Sequence, residues 1–142
     1  MPVLTVHRKK MEAHTKNLKS LGFSEKNTNR ILSLLPNHSE LEPTQTYWID
    51  SIERIIENNP EKNFLGLDEE PREKGIIFIG SCPNGDPVAV DLNDDNLPVY
   101  YLSHEEMFDS PIENIMEEVS KTIEEFELLV QKGTMPFDYF EI

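Results

Sequence analysis

Four short groups of residues in this 142-residue chain carry side chains that could do chemistry. The first is His104, which is followed by Glu105 and Glu106. A zinc-protease site needs a second histidine one helical turn later, and residue 108 is phenylalanine. We therefore interpret His104 as a solvated histidine at the end of a strand.

The second group is Asp91, Asn93 and Asp95, which alternate as calcium ligands can. A calcium-binding loop also needs glycine at its sixth position and glutamate at its twelfth. Those positions hold Asn96 and Leu102. The run is therefore interpreted as a turn.

The third group, Gly80, Gly85 and Asp86, could suggest phosphate binding, but no glycine loop opens directly into a helix. The fourth is Cys82, the only cysteine, which has no local base and which we expect to be buried or half-buried. Many carboxylates could supply an acid–base pair, yet nothing in the sequence selects one. We expect no enzymatic activity, no cofactor and no metal.

The charge balance is strongly acidic, with 13 Lys and Arg against 27 Asp and Glu and a net charge of −14. Nucleic acid is therefore a poor partner, because phosphate binding needs basic patches. A basic protein is a natural partner, although acidity can also serve solubility alone. The chain has a single cysteine, no signal peptide and no long apolar run. These features predict a cytoplasmic protein that does not bind membranes.

The charge is unevenly distributed along the chain. Residues 1–30 hold only two acidic residues, Glu12 and Glu25, whereas the remainder is strongly acidic. Either the protein has two functional faces, or a basic segment packs on an acidic body, and the sequence leaves both open. The basic residues of this segment are Arg8, Lys9, Lys10, Lys16, Lys19, Lys26 and Arg30.

Helical patterns dominate the N-terminal part, over residues 7–58. We predict a helix over about 7–20, a second one capped by Ser24 that extends through Leu35, and a third over about 44–58. Trp48 and Ile49 belong to the apolar face of the third helix and are expected in the core.

The pattern then changes to strands, at 76–81, 87–92 and 97–102. Asn84-Gly85 is a favoured pair for a tight hairpin turn, and a second polar turn follows at 93–96. Short connections between consecutive strands predict an antiparallel meander over 76–102.

An amphipathic helix is predicted over 112–131, with Ser110 as its N-cap, Pro111 in the first turn and Glu113 completing a capping box. Its apolar stripe suits packing on a sheet. The aromatic residues of the tail alternate, which suggests a short final strand or a docked extension. Together these elements predict one α+β domain over 1–142, a mainly antiparallel sheet packed by the N-terminal helices and this C-terminal helix.

Four segments resemble the SUKH superfamily of Smi/Knr-like proteins. They are a strand ending near glycine (77–81), a Gly-Asp turn leading into a strand that ends in aspartate (84–92), a Val-Tyr strand followed by His104-Glu105 (98–105) and a late helix (123–129). In family members, a Leu-Pro pair is usually followed by an aromatic residue and by a Phe-Leu pair in a helix. In this chain, Leu35-Pro36 is not followed by these residues. The similarity covers about residues 76–130.

The resemblance implies an α+β fold and a role in binding proteins. Many bacterial members are thought to neutralise toxins, often nucleases, which are basic where they bind nucleic acid. The leading hypothesis is thus an immunity-type protein that binds a basic toxin. A regulatory or scaffold protein of the same fold is the alternative, and a small carboxylate-dependent hydrolase is a third.

The predicted partner-binding surface is acidic. We favour one cluster at the turn between the second and third strands, joined by a run that precedes the first strand. A second cluster, Glu105, Glu106 and Asp109, is expected at the opposite end of the sheet. All of these residues can equally be solvated surface charges. The favoured residues are Asp68, Glu69, Glu70, Asp94 and Asp95.

Overall fold

The computed structural model describes residues 2–34, 48–60, 71–107 and 109–142. The helices are α1 (Pro2–Leu21), α2 (Glu25–Leu32), α3 (Ile52–Asn58) and α4 (Ile123–Lys132). The strands are β1 (Ile76–Ser81), β2 (Pro87–Asp91), β3 (Val99–Leu102) and β4 (Met116–Ser120). Short 3-10 turns lie at 72–74, 112–114 and 139–141. The predicted α+β class is confirmed.

The four strands form one antiparallel sheet in the order β1-β2-β3-β4. The meander predicted over 76–102 is therefore confirmed, and β4 extends it. A bulge interrupts the β3–β4 pairing, because Val99 pairs with Ser120 but Tyr100 pairs with Glu118. Val119 is the extra residue of that bulge.

One face of the sheet supports the main hydrophobic core. Ile77, Val90 and Tyr101 are fully buried there, together with Phe126 of α4 and Ile31 of α2. Alternate residues of the strands point to the other face, where a smaller cluster forms. The smaller cluster contains Ile76, Ala89, Leu102 and Ile112.

The N-terminal helices agree with the sequence patterns only in part. Ser24 caps α2 as predicted, accepting a hydrogen bond from the backbone N–H of Asn27 at 3.1 Å, and the helix ends at Leu32. The helix predicted over 44–58 is too long, because α3 begins after the N-cap Ser51. Trp48 and Ile49 are buried as expected, but they precede the helix. Residues 35–47 lie outside the described residues.

The helix predicted over 112–131 is wrong in its first half. Residues 112–114 form a single 3-10 turn, and 116–120 form β4. The apolar spacing of this segment suits a helix, but backbone pairing with β3 supplies the hydrogen bonds that a helical turn would have made. Ser110 therefore caps no α-helix. The cap of α4 is Thr122, whose side chain accepts from the backbone N–H of Glu125 at 3.1 Å.

This correction predicts which capping residue contributes to stability. Thr122→Ala should lower the free energy of unfolding by about 1 kcal/mol, because an orphan N–H of α4 loses its acceptor. Ser110→Ala, the matched control, should change it little, since the 3-10 turn at 112–114 has no side-chain cap. Urea denaturation measures both. Equal losses for the two variants would contradict the assignment of the helix start.

Candidate protein-interaction surface

The predicted acidic residues of the β2–β3 turn are largely engaged within the fold. Asp95 accepts hydrogen bonds from Lys26 Nζ at 2.9 Å and from Asn27 Nδ2 at 3.2 Å. The hydrogen bond and the charge of Lys26 lower the pKa of Asp95. Asp94 is exposed, and its Oδ1 accepts from the backbone N–H of Asn96 at 2.9 Å. Asp95 thus ties the turn to α2.

Arg30 makes the second connection between α2 and this turn. Its guanidinium donates to the backbone carbonyls of Asp95 and Asn96 at 2.9 and 2.8 Å. The same group forms a two-pronged pair with Glu124 of α4, at 2.6 and 2.9 Å. Lys26 and Arg30 therefore contact the acidic body of the protein. For these two residues, the structure agrees with the alternative in which the basic segment packs on that body.

Asp68, Glu69 and Glu70, the other predicted partner-binding residues, lie outside the described residues. Glu105 and Glu106 are exposed in the turn that follows β3, and Asp109 is exposed four residues after Glu105. The structure does not bring them to Asp94 and Asp95, which lie between β2 and β3 at the other end of β3.

Asp86 is the centre of a buried hydrogen-bond network at the end of the sheet where β3 finishes and Glu105 follows. Only 1% of its surface is exposed, and Oδ1 accepts from the backbone N–H and the ring Nδ1 of His104, at 3.0 and 2.5 Å. Oδ2 accepts from Asn84 Nδ2 at 3.1 Å and from the backbone N–H of Tyr139 at 3.0 Å. Burial raises the pKa of Asp86, but these hydrogen bonds outweigh it and leave the pKa lowered.

The network adds a buried partner to the predicted strand-end histidine. His104 follows the end of β3 and its side chain is 39% exposed, as expected of a partly solvated residue, but its ring is held by Asp86. The whole β2–β3 hairpin separates the two residues in the sequence, so that only the antiparallel pairing of β2 and β3 reveals their contact.

The C-terminal tail is anchored on this end of the sheet. The Tyr101 hydroxyl donates to the backbone carbonyl of Pro136 at 2.5 Å, and the Tyr139 N–H donates to Asp86. The Phe137 ring packs edge-on against Trp48, with 6.4 Å between ring centroids. The docked extension suggested by the tail's alternation is therefore observed, as a 3-10 turn at 139–141 rather than a strand.

This anchored tail nevertheless presents three large apolar side chains to solvent. Phe137 is 51% exposed, Phe140 69% and Ile142 46%. Large apolar side chains that are exposed together can mark an interaction site. We call these three residues the tail patch.

Several carboxylates lie on the tail or at its anchor points. Asp138 accepts from the Phe140 N–H at 2.9 Å, and Glu141 accepts from the Phe137 N–H at 2.5 Å. Glu117 is the β4 partner of Tyr101, whose hydroxyl holds Pro136, and Glu106 follows His104, which shares Asp86 with Tyr139. Burial raises the pKa of Tyr139, and the charges of Glu117, Glu106 and Asp86 raise it further. Burial likewise raises the pKa of Tyr101, with further contributions from Cys82, Glu141 and Asp138. We call Glu106, Glu117, Asp138 and Glu141 the acidic rim.

The remaining candidate groups offer little chemistry. Cys82 is buried as expected, and burial, with the charges of Asp86 and Asp138, raises the pKa of its thiol. Within the four described ranges, no three His, Cys, Asp or Glu side chains come together as metal ligands. None of the helices in that part of the chain has the length and apolarity to cross a bilayer.

Comparison of the chain with protein-family models, with curated proteins and with solved structures gave no match. The resemblance to the SUKH superfamily therefore rests on the residues quoted for it.

Proposed function

We propose that this protein is a non-catalytic binding domain that uses the tail patch and acidic rim to bind a basic protein. The partner we infer is a nuclease-type toxin, which the domain neutralises as an immunity protein. The observation that carries the proposal is Phe140, which is 69% exposed on a tail held by the buried carboxylate of Asp86.

A fixed, exposed aromatic side chain is suited to recognition. Binding energy is usually concentrated in a few residues, and aromatic side chains are prominent among them. A side chain that is already held in place loses less conformational entropy on binding. The Phe140 ring packs edge-on against the Tyr139 ring, with 5.9 Å between centroids. The Phe140 N–H donates to the Asp138 side chain at 2.9 Å.

The charge of the rim supports a basic partner. Glu106 and Glu117 are exposed, and no ion pair joins either of them to another described residue. Uncompensated carboxylates speed the encounter with a positively charged surface and disfavour an acidic one. The net charge of −14 acts in the same direction, and the SUKH resemblance implies the same class of partner.

Two other functions are less well supported. A regulatory or scaffold protein of this fold could use the same patch, and its partner would then not be toxic. A carboxylate-dependent hydrolase needs an available acid–base pair. Asp86 accepts four hydrogen bonds and is shielded from solvent, which leaves it poorly placed for proton transfer to a substrate.

The test begins with capture of partners on immobilised protein. Phe140→Ser should lose the captured basic protein, whereas Leu128→Ser should retain it. Leu128 is the matched control because it is 48% exposed and lies on the side of α4 opposite Phe126. The captured protein is then purified and expressed in cells with each variant.

If the proposal is correct, the captured protein is toxic, and the wild type and the Leu128 variant protect the cells whereas the Phe140 variant does not. A captured partner without toxicity would favour the regulatory alternative. Equal capture by both serine variants would contradict a role of the tail patch.

A further inference from the structure

We propose that the open edge of β4 pairs with an extended, basic segment of the partner and so adds a fifth strand to the sheet. This inference deepens the proposed function and rests on it for the class of partner. The inference rests on a strand edge whose outward backbone groups have no partner among the described residues, beside two glutamates that form no ion pair within those residues.

The two edges of the sheet differ. The edge of β1 is covered, because the side-chain amide of Asn59 exchanges two hydrogen bonds with the backbone of Phe78, both at 2.8 Å. The backbone N–H of Asp50 also donates to the carbonyl of Ile79 at 2.7 Å. β4 is the last strand of the sheet at the other edge, and among the residues that the structure describes no strand lies beyond it.

The register shows which groups of β4 face outwards. The N–H of Ser103 donates to the carbonyl of Ile115 at 3.1 Å, so these residues form a hydrogen-bonded pair. Hydrogen-bonded and non-hydrogen-bonded pairs alternate along antiparallel strands. Tyr101 and Glu117 are therefore a hydrogen-bonded pair, and the N–H and carbonyl groups of Met116 and Glu118 point away from β3.

The charges beside this edge select the occupant. Glu117 and Glu118 are exposed and, as successive residues of a strand, point to opposite faces of the sheet. Neither forms an ion pair with any residue in the described ranges, whereas nearby Glu113 pairs with Lys74 at 3.0 Å and Glu124 with Arg30. A second copy of β4 would place like charges opposite each other, which is destabilising. A strand with basic side chains on both faces would be complementary.

The edge is also continuous with the surface proposed for binding. Glu117 of the acidic rim is the cross-strand partner of Tyr101, and the Tyr101 hydroxyl holds the tail at the Pro136 carbonyl. A segment paired with β4 would therefore run beside the tail patch, and main-chain pairing would give affinity while the rim and patch give specificity.

The decisive comparison is Glu118→Pro with Glu118→Ala. Both remove the carboxylate, but only proline also removes the outward N–H, and proline is tolerated where an edge N–H faces solvent. The probe is a capped twelve-residue peptide that alternates lysine with valine or threonine. The control peptide has the same sequence except that proline replaces two central valine or threonine residues. Binding is measured by titration, and each variant's melting temperature is recorded.

We expect saturable binding of the first peptide and none of the second. Glu118→Ala should weaken binding, and Glu118→Pro should weaken it at least about tenfold more, as loss of one main-chain bond worth about 1.4 kcal/mol implies. Equal affinities of the two variants, or equal binding of the two peptides, would overturn the proposal in favour of non-specific charge attraction.

Amide exchange keeps the test valid if Glu118→Pro fails to fold. In the wild type, the amide of Glu117 should be protected and those of Met116 and Glu118 should exchange rapidly until the peptide is added. Unchanged exchange at Met116 and Glu118 under saturation would overturn the edge pairing. If Phe140→Ser keeps the peptide-induced protection of the edge amides, the edge site binds without the tail patch.

Discussion

Phe126→Ala is expected to lower the free energy of unfolding by about 3–5 kcal/mol. Phe126 is fully buried in the main core, and its ring packs edge-on against Tyr101 with 6.3 Å between centroids. Truncation removes apolar burial and leaves a cavity between α4 and the sheet. A domain of this size has a total stability of about 5–15 kcal/mol, so this loss is large.

Leu128→Ala is the control, because Leu128 lies two residues further along the same helix and is 48% exposed. It should change the stability by no more than about 0.5 kcal/mol. Urea denaturation followed by circular dichroism measures both. A loss below about 1 kcal/mol for Phe126→Ala would show that α4 does not pack through this face.

Asp86→Asn should destabilise the protein by about 3 kcal/mol. The carboxylate accepts four hydrogen bonds, and bonds to a charged acceptor contribute about 1.5–3 kcal/mol each. An amide has one oxygen, so the donors at Oδ1 and Oδ2 cannot all be satisfied. Because Tyr139 is one of those donors, the amide of Tyr139 should also exchange faster.

The same carboxylate predicts a dependence of stability on pH. The folded state lowers the pKa of Asp86 below its ordinary value of 3.8, so the unfolded chain binds the proton more tightly. The contribution of Asp86 is therefore complete above that value and is lost as the pH falls through the lower, folded pKa. In Asp86→Asn, this part of the acid-induced loss should disappear.

Glu105→Gln is the matched control for charge, because Glu105 is exposed beside His104 and takes no part in the Asp86 network. Its stability should match the wild type at neutral pH. An Asp86→Asn variant as stable as Glu105→Gln would contradict the proposed role of the network.

The sheet was the most predictable part of the fold. β1 matches the predicted 76–81, and Gly85 adopts a φ of 98° in the connection to β2. That connection spans 82–86, so it is wider than the tight turn that Asn84-Gly85 predicts. β4 was missed because Ile112, Ile115 and Met116 are spaced as in a helix. Local propensity carries no information about the pairing with β3, which makes this segment a strand. The start of α3 was placed too early because an apolar stripe does not distinguish Trp48 in a helix from Trp48 packed before one.

The site was less predictable than the fold, because exposure and partnership are tertiary properties. The charge asymmetry left packing of the basic segment on the body as one of two alternatives, but it did not indicate that Arg30 joins the 95–96 turn to α4. The aromatic tail was visible in the sequence, whereas the exposure of Phe140 depends on where Asp86 holds the chain.

The affinity of the purified captured partner for wild type, Phe140→Ser and Leu128→Ser tests the central claim most directly. A central aromatic contact contributes about 2 kcal/mol or more, so Phe140→Ser should weaken binding about 30-fold, mainly through faster dissociation. Leu128→Ser should bind as the wild type does, and added salt should slow association for all three. Equal affinities for the two serine variants, with association rates that do not change with salt, would contradict recognition through the tail patch and its acidic rim.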